Sequence, residues 1–220
     1  ENKFKEAAYS LREHFISEGM SVNFVGRAKK QTVLADTDTI LETIKTKDKD
    51  FYLYQVEGNF SQPNIYACQN MVQFARDCCS NCKDEDLIEL YCGSGTFTVC
   101  LADLFRKVFS TEVSRVPTLT AIKNIEKLGY KVKVTSNCKL DNRGRSSSAE
   151  KRVKESGLEY KEALDFTARF NRVIYISCGP TSLCSDLTYL CKTHRIKKLA
   201  FFDQFPYTEH LETGVLLEKI

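Results

Sequence analysis

The sequence predicts an α/β protein: a doubly wound, mostly parallel sheet with helices on both faces, preceded by a small α+β amino-terminal part. Three observations predict it. From Leu87 onward, short apolar runs alternate with stretches of helical periodicity. The first of those runs, LIELY, enters a glycine-rich turn, CGSG. The last two runs, KKLAFFD and GVLLEKI, are joined by a loop without helical pattern, which predicts an antiparallel edge.

The elements follow in order. Phe4, Ala7, Ala8, Leu11 and Phe15 recur at helical spacing, and SVNFVGR and QTVLAD read as short strands around the basic turn RAKK. FYLYQVE, residues 51–57, alternates like a half-buried strand. These elements make residues 1–60 the amino-terminal part, with residues 61–220 as the main domain. Ile65, Cys68, Met71, Val72 and Ala75 mark an amphipathic helix opened by Pro63 and Asn64. Strand LIELY, helix FTVCLADLF, strand VFSTE, helix TLTAIKNIEKLG and strand KVKVTS come next. Helix LEYKEALDFTARF, strand RVIYIS and helix TSLCSDLTYLCKTH lead into the two closing strands. Residues 140–157 break the rhythm: they are polar, basic and serine-rich, and read as a flexible basic loop or, more sharply, a nucleic-acid arm.

The bulk numbers remove several function classes. A hydrophobic content of 42% beside 28% charged residues describes a globular chain. No apolar run approaches the roughly 18 residues of a membrane-spanning helix, so no membrane partner is expected. The net charge of +3 is compatible with a local basic patch and demonstrates no nucleic-acid binding. Ten cysteines without a secretory signal predict reduced thiols and a cytoplasmic setting, or a mitochondrion or plastid if a targeting segment precedes residue 1. Cys78, Cys79 and Cys82 contain one CxxC and no second ligand pair, so no metal site is expected.

Two places carry chemistry. A strand entering a glycine-rich turn presents backbone N–H groups at the carboxyl edge of a sheet, and Gly93 and Gly95 let a ligand approach closely. Glu112 ends the next strand, where a carboxylate can accept both ribose hydroxyls of an adenosine. The turn lacks the third glycine of a dinucleotide fingerprint, which favours other nucleosides, S-adenosylmethionine among them, over NAD. The alternative is a structural turn beside a solvated glutamate. The second place is Cys178, left where strand RVIYIS meets Gly179 and Pro180. A cysteine there is either a small buried hydrophobe or a nucleophile.

Four phrases occur in the order NFSQPN (59–64), ELYCGSGTF, YISCGPTSLCSDL (175–187) and FDQFPYTEHLETGVLL (202–217). Together they closely resemble the tRNA (uracil-5-)-methyltransferases, which make ribothymidine at position 54 of the tRNA T-loop. The resemblance runs from about Phe4 to the carboxyl end. It implies a Rossmann-like class I methyltransferase fold, S-adenosyl-L-methionine as cofactor, and the T-arm of tRNA as partner, with a monomeric enzyme. The matching cofactor positions are Gln62, Tyr91, Gly93, Gly95, Thr96 and Glu112, with Thr96 standing where bacterial members carry Asn. Cys178 matches the nucleophile and Glu212 the general base.

The chemistry explains those residue types. Carbon 5 of uracil is a poor nucleophile until a thiolate adds to carbon 6 and makes the ring an enolate. The C5 proton must then leave, and a carboxylate can take it. The uridine must be turned out of the folded tRNA, and Phe205 and Tyr207 are candidates to stack on it, or are packing residues. Cys184 reads as structural and His210 as a surface histidine.

The resemblance also implies two differences. Family members carry further residues ahead of the first one here. They also carry a strand ending in Asp-Pro-Pro-Arg between KVKVTS and SGLEY, a phrase this sequence lacks. Removing a central strand is expected to leave its neighbours' backbone groups unpaired. The alternative function is a catalytically incomplete chain that binds tRNA or assists its folding.

Overall fold

Helical and strand periodicities resolve, among the described residues, into six α-helices, one short 3₁₀ turn and ten strands in a computed structural model that describes residues 2–29, 31–126, 128–136 and 160–220. The basic stretch 140–157 lies outside the described residues. Helix α1 (Asn2–Ser17) precedes an antiparallel hairpin of β1 (Val25–Ala28) and β2 (Gln31–Leu34). A second antiparallel hairpin pairs β3 (Thr39–Lys45) with β4 (Asp50–Val56). Sequence reading missed β3: Ile40 and Leu41 are exposed and only Ile44 is buried, so the strand carries no alternating signature.

Helix α2 (Ile65–Cys78) starts where Asn64 Oδ1 accepts the Tyr66 and Ala67 N–H groups at 3.1 and 3.2 Å, an N-cap of the expected kind. Strand β5 (Asp86–Leu90), helix α3 (Thr96–Leu101), strand β6 (Lys107–Glu112), helix α4 (Arg115–Glu126) and strand β7 (Val132–Ser136) follow. The order β5-β6-β7 is parallel throughout. Helix α5 (Tyr160–Thr167), strand β8 (Arg172–Ser177), helix α6 (Pro180–Leu190), strand β9 (His194–Phe202) and strand β10 (Glu212–Lys219) complete the chain.

The closing pair adds the expected antiparallel edge: β10 lies between β8 and the edge strand β9, antiparallel to both. Its residues Glu212–Leu217 are all buried, as a central strand requires. The described strands form two three-stranded sheets, β5-β6-β7 and β8-β10-β9, with no ladder joining them. Among the described residues, β5 and β8 are each paired on one side only.

Two apolar clusters organise the chain. Ile44, Phe51, Leu53, Cys68, Val72, Val99, Cys100, Ala121 and Ile125 join the β3–β4 hairpin to α2, α3 and α4, so the core continues across residue 60. Asn124 stitches the same junction: its Oδ1 accepts the Tyr54 N–H at 2.6 Å, and its Nδ2 donates to the carbonyls of Tyr54 and Ser94 at 3.1 and 3.0 Å. The second cluster packs Leu183, Leu190, Val215 and Leu217, with Leu164 and Val173 against them. Helix α2 ties the halves together by setting Phe74 edge-on to Phe202, with ring centroids 5.8 Å apart. Gly214 leaves room for that ring, since a Cβ there would stand 2.8 Å from Phe74.

Candidate active site

The glycine turn after β5 is held by its own backbone conformation. Tyr91, Gly93 and Gly95 have φ of 62°, 57° and 84°, alternating with ordinary residues. Positive φ is open to glycine and strained for tyrosine. A Cβ on Gly93 would meet nothing within 4 Å, so space opens beside the turn, whereas one on Gly95 would stand 3.2 Å from the Ala121 Cβ. Gly95 therefore serves close packing on α4, and Gly93 borders the open side. Tyr91 is 43% exposed, and Thr96 is half-buried at the first turn of α3.

Glu112, at the end of β6, reaches this turn. Its Oε2 accepts the Gly93 N–H at 3.0 Å and its Oε1 accepts the Ser114 N–H at 2.8 Å. Parallel pairing of β5 with β6 brings the two strand ends together. Each carboxylate oxygen keeps a further lone pair, so Glu112 can order the turn and still accept hydroxyls.

Below the turn lies Glu89, whose Oε2 accepts hydrogen bonds from Thr98 Oγ1 and, at 3.1 Å, from Ser110 Oγ. Burial pushes its carboxyl up to about 7, against the opposing pull of those two hydrogen bonds. Sequence reading missed this residue, although a glutamate within the apolar run LIELY is the available signal.

The second group lies on the other sheet. Cys178 directly follows β8 and is exposed, which removes the buried-hydrophobe reading. Gly179 then caps α6 with Pro180 at its first turn, as fits an N-terminal proline. Glu212 opens β10 and is 5% exposed. The β8–β10 ladder ends with Thr213 paired to Ser177, so Glu212 and Cys178 each stand one residue beyond that last pair. Burial raises the Glu212 carboxyl above the usual carboxylate range, which suits a proton acceptor working near neutrality. Cys184 is also exposed, on α6, and so is no part of the core.

Gln62 does not meet the glycine turn through any hydrogen bond described. Its Oε1 accepts from Nε2 of Gln204, on the loop between β9 and β10. Gln204 is 2% exposed, and its own Oε1 is buried without a partner. That loop also carries Phe205, packed edge-on to His210 at 5.9 Å, and Tyr207, fully exposed with φ of 65°. Behind Cys178, Tyr175 Oη donates to Asp186 Oδ2 at 2.5 Å, linking β8 to α6. Gln204 and Asp186 both lie in phrases singled out in the sequence, but only the fold shows that they are buried.

Cys78, Cys79 and Cys82 are buried free thiols, and Arg172 Nη1 donates to Cys82 Sγ at 2.7 Å. Among the described residues, no group of three or more His, Cys, Asp or Glu side chains converges as metal ligands would. No described helix is long and apolar enough to cross a membrane.

Comparison with known proteins places this geometry. The family model for tRNA (Uracil-5-)-methyltransferase matches residues 1–139 and 153–220. A tRNA/tmRNA (uracil-C(5))-methyltransferase of Pasteurella multocida is 34% identical over 237 residues, covering 99% of this chain and 64% of the relative. The Saccharophagus degradans protein of the same name is 37% identical, covering 93% of this chain and 61% of its own. The chain thus spans about 64% of the length of the first of these relatives. The P. multocida alignment sets 237 positions against about 218 residues here, 99% of 220, so about 19 positions have no counterpart in this chain. Among solved structures, the Pyrococcus abyssi tRNA (uracil-54, C5)-methyltransferase in complex with S-adenosyl-L-homocysteine superposes with a TM-score of 0.55. It is 22% identical, covering 87% of this chain and 49% of that one, a likeness of fold. The α/β fold is that of the class I methyltransferases, and this chain belongs to the tRNA (uracil-5-)-methyltransferase family.

Proposed function

We propose that this chain carries the catalytic part of a tRNA (uracil-5-)-methyltransferase, moving a methyl group from S-adenosyl-L-methionine to carbon 5 of the T-loop uridine. One observation carries the reading: an exposed thiol, Cys178, and a buried carboxyl, Glu212, each stand one residue beyond the last β8–β10 pair, Thr213 with Ser177. Names of the relatives, which include tRNA and tmRNA uracil-C5 methyltransferases, support the substrate class.

The glycine turn fits an adenosyl group. Open space beside Gly93 admits it, and Glu112 retains lone pairs for ribose hydroxyls. Gly95, Tyr91 and Thr96 border the same turn, and Gln62, hydrogen-bonded to Gln204, is the remaining residue assigned to the cofactor. S-adenosyl-L-methionine supplies an electrophilic methyl when bound. The chain's own residues do the rest. The Cys178 thiolate adds to carbon 6 of uracil, forming an S–C6 bond and shifting the C5–C6 electron pair to an enolate. The enolate's carbon 5 would then take the methyl, the S–CH3 bond breaking with its electron pair left on the sulfur of S-adenosyl-L-homocysteine. Glu212 removes the remaining C5 proton, the C5–C6 double bond re-forms, and Cys178 leaves as thiolate. Covalent capture is thereby undone by the same two residues at that end of the β8–β10 ladder.

Incubation with S-adenosyl-L-methionine and unmodified tRNA tests the proposal through the yield of 5-methyluridine. A covalent adduct with 5-fluorouridine-substituted tRNA is expected, and it should vanish in Cys178→Ala. An adduct that survives this change refutes the nucleophile. The lack of an Asp-Pro-Pro-Arg phrase favours a second reading, a chain that binds tRNA without turnover. Intact tRNA binding with no 5-methyluridine selects it.

A further inference from the structure

We propose that Cys79 and Cys82 form a reversible redox site, at which hydrogen peroxide oxidises the buried pair to a disulfide within the loop joining α2 to β5.

The turn after α2 brings the two sulfurs together. Cys79 directly follows the helix, where its N–H donates to the Arg76 carbonyl at 2.9 Å. Ser80 and Asn81 form a turn, and the Cys82 carbonyl accepts the Glu85 N–H at 2.9 Å. The ends of a turn stand within about 7 Å of each other at their Cα atoms, a span that a disulfide bridges. The side chains of Cys79 and Cys82 are accordingly hydrogen-bonded to each other. Cys78, on the last turn of α2, has Lys198, Asp77 and Arg172 as its charged neighbours. A CxxC spacing is that of dithiol redox motifs.

Cys82 has the surroundings of the attacking thiol. Arg172 Nη1 donates to its Sγ at 2.7 Å, and the same guanidinium reaches Glu85 at 3.8 Å. Burial raises the Cys82 thiol, and the charge and hydrogen bond of Arg172 pull against that rise. Burial, with the two neighbouring thiols, pushes Cys79 up to about 12, so Cys82 ionises first. Both residues are only 1% exposed, which favours a small oxidant over a bulky disulfide. Arg172 and Glu85 line an open cavity of about 660 Å³, which gives such an oxidant a path to the sulfur.

The chemistry balances in two steps. The Cys82 thiolate attacks one peroxide oxygen, the O–O bond breaks, and hydroxide leaves, giving a sulfenic acid and, with the thiol's released proton, one water. The Cys79 sulfur then attacks the Cys82 sulfur, the S–O bond breaks, and the departing hydroxide takes the Cys79 proton as a second water. Two thiols are oxidised to one disulfide while both peroxide oxygens are reduced. Thiol–disulfide exchange with an external dithiol reverses the change.

The test treats the full chain with millimolar hydrogen peroxide, blocks the remaining thiols with N-ethylmaleimide, and reads the tryptic fragment 77–83 by mass spectrometry. The fragment is expected to lose two hydrogens, to carry its one maleimide on Cys78, and to regain both thiols in dithiothreitol. Cys79→Ser removes the resolving thiol, so Cys82 should pass on to sulfinic acid, which dithiothreitol does not reverse. Arg172→Gln should slow disulfide formation about tenfold, the change in thiolate fraction for one pH unit, whereas Arg172→Lys should stay within about threefold of the parent. Circular dichroism checks that each variant is folded, and the parent with Cys79→Ser decides the matter where Arg172→Gln is not. A fragment that stays reduced while the exposed Cys178, Cys184 and Cys191 are oxidised overturns the proposal. So does a bridge to Cys78, or a folded Arg172→Gln chain that oxidises as fast as the parent. None of these readouts involves methyl transfer, so failure here leaves that proposal standing.

Discussion

Replacing Glu89 by Gln should make the fold more stable at pH 8 and leave it nearly unchanged at pH 5. Burial is the chief cause holding this carboxyl at about 7, against an ordinary 4.5, with hydrogen bonds from Thr98 and Ser110 opposing. Between those two pH values the folded chain holds a proton that the unfolded chain has released. Stability contributed by the neutral carboxyl is therefore present at pH 4.5 and is lost as pH rises through 7. At about 1.4 kcal/mol for each pH unit the difference has a ceiling of about 3 kcal/mol. The residue is half-buried, so screening by water brings the expectation to about 2 kcal/mol. Glutamine keeps an oxygen to accept from Thr98 and Ser110 and carries no charge at any pH. Urea titrations at pH 5, 6, 7 and 8 measure the effect. With a typical slope of about 2 kcal/mol per molar, the variant's midpoint should lead by about 1 M at pH 8 and by little at pH 5. Asp186 and Glu212 are also raised by burial, but they cancel in the difference between the two proteins. Parallel pH profiles, or a variant weaker at pH 8, would refute the reasoning.

Three further outcomes are expected. Gly95→Ala places a Cβ at φ of 84° against Ala121 and should cost about 1–3 kcal/mol, read as a lowered Tm; an unchanged Tm contradicts the strain argument. Asn124→Ala strips partners from the Tyr54 N–H and from the Tyr54 and Ser94 carbonyls, for a loss of about 2–4 kcal/mol in urea unfolding. Under the proposed function, Glu112→Ala should raise the Kd for S-adenosyl-L-homocysteine by calorimetry at least about tenfold, a change of about 1.4 kcal/mol. An unaltered Kd removes Glu112 from the cofactor site.

Much of the fold was legible because helices and strands announce themselves through near neighbours. RVIYIS spans β8 from end to end, and the apolar series beginning at Ile65 marks the buried face of α2. The miss at β3 has the same cause reversed: Ile40 and Leu41 face solvent, so the strand owes its place to pairing with β4. The closing pair was read as an antiparallel edge, but the order of its two strands was not legible, since an apolar run does not encode which neighbours flank it. At the candidate site, the family phrases marked Cys178, Glu212 and Glu112. They did not reveal that Gln62 meets Gln204, a partner 142 residues away.

By itself the sequence determined the local pieces: the thiol at the end of β8, the glycine turn after β5, and the helix that Asn64 caps. Each depends on side-chain period or backbone freedom within a few residues. Only the tertiary structure decided what those pieces face. It set Glu112 on the Gly93 N–H, buried Glu212 one residue beyond the last β8–β10 pair, and drew β10 between β8 and β9. Those outcomes rest on hydrogen bonds and burial between distant segments, and no local pattern of residues encodes them.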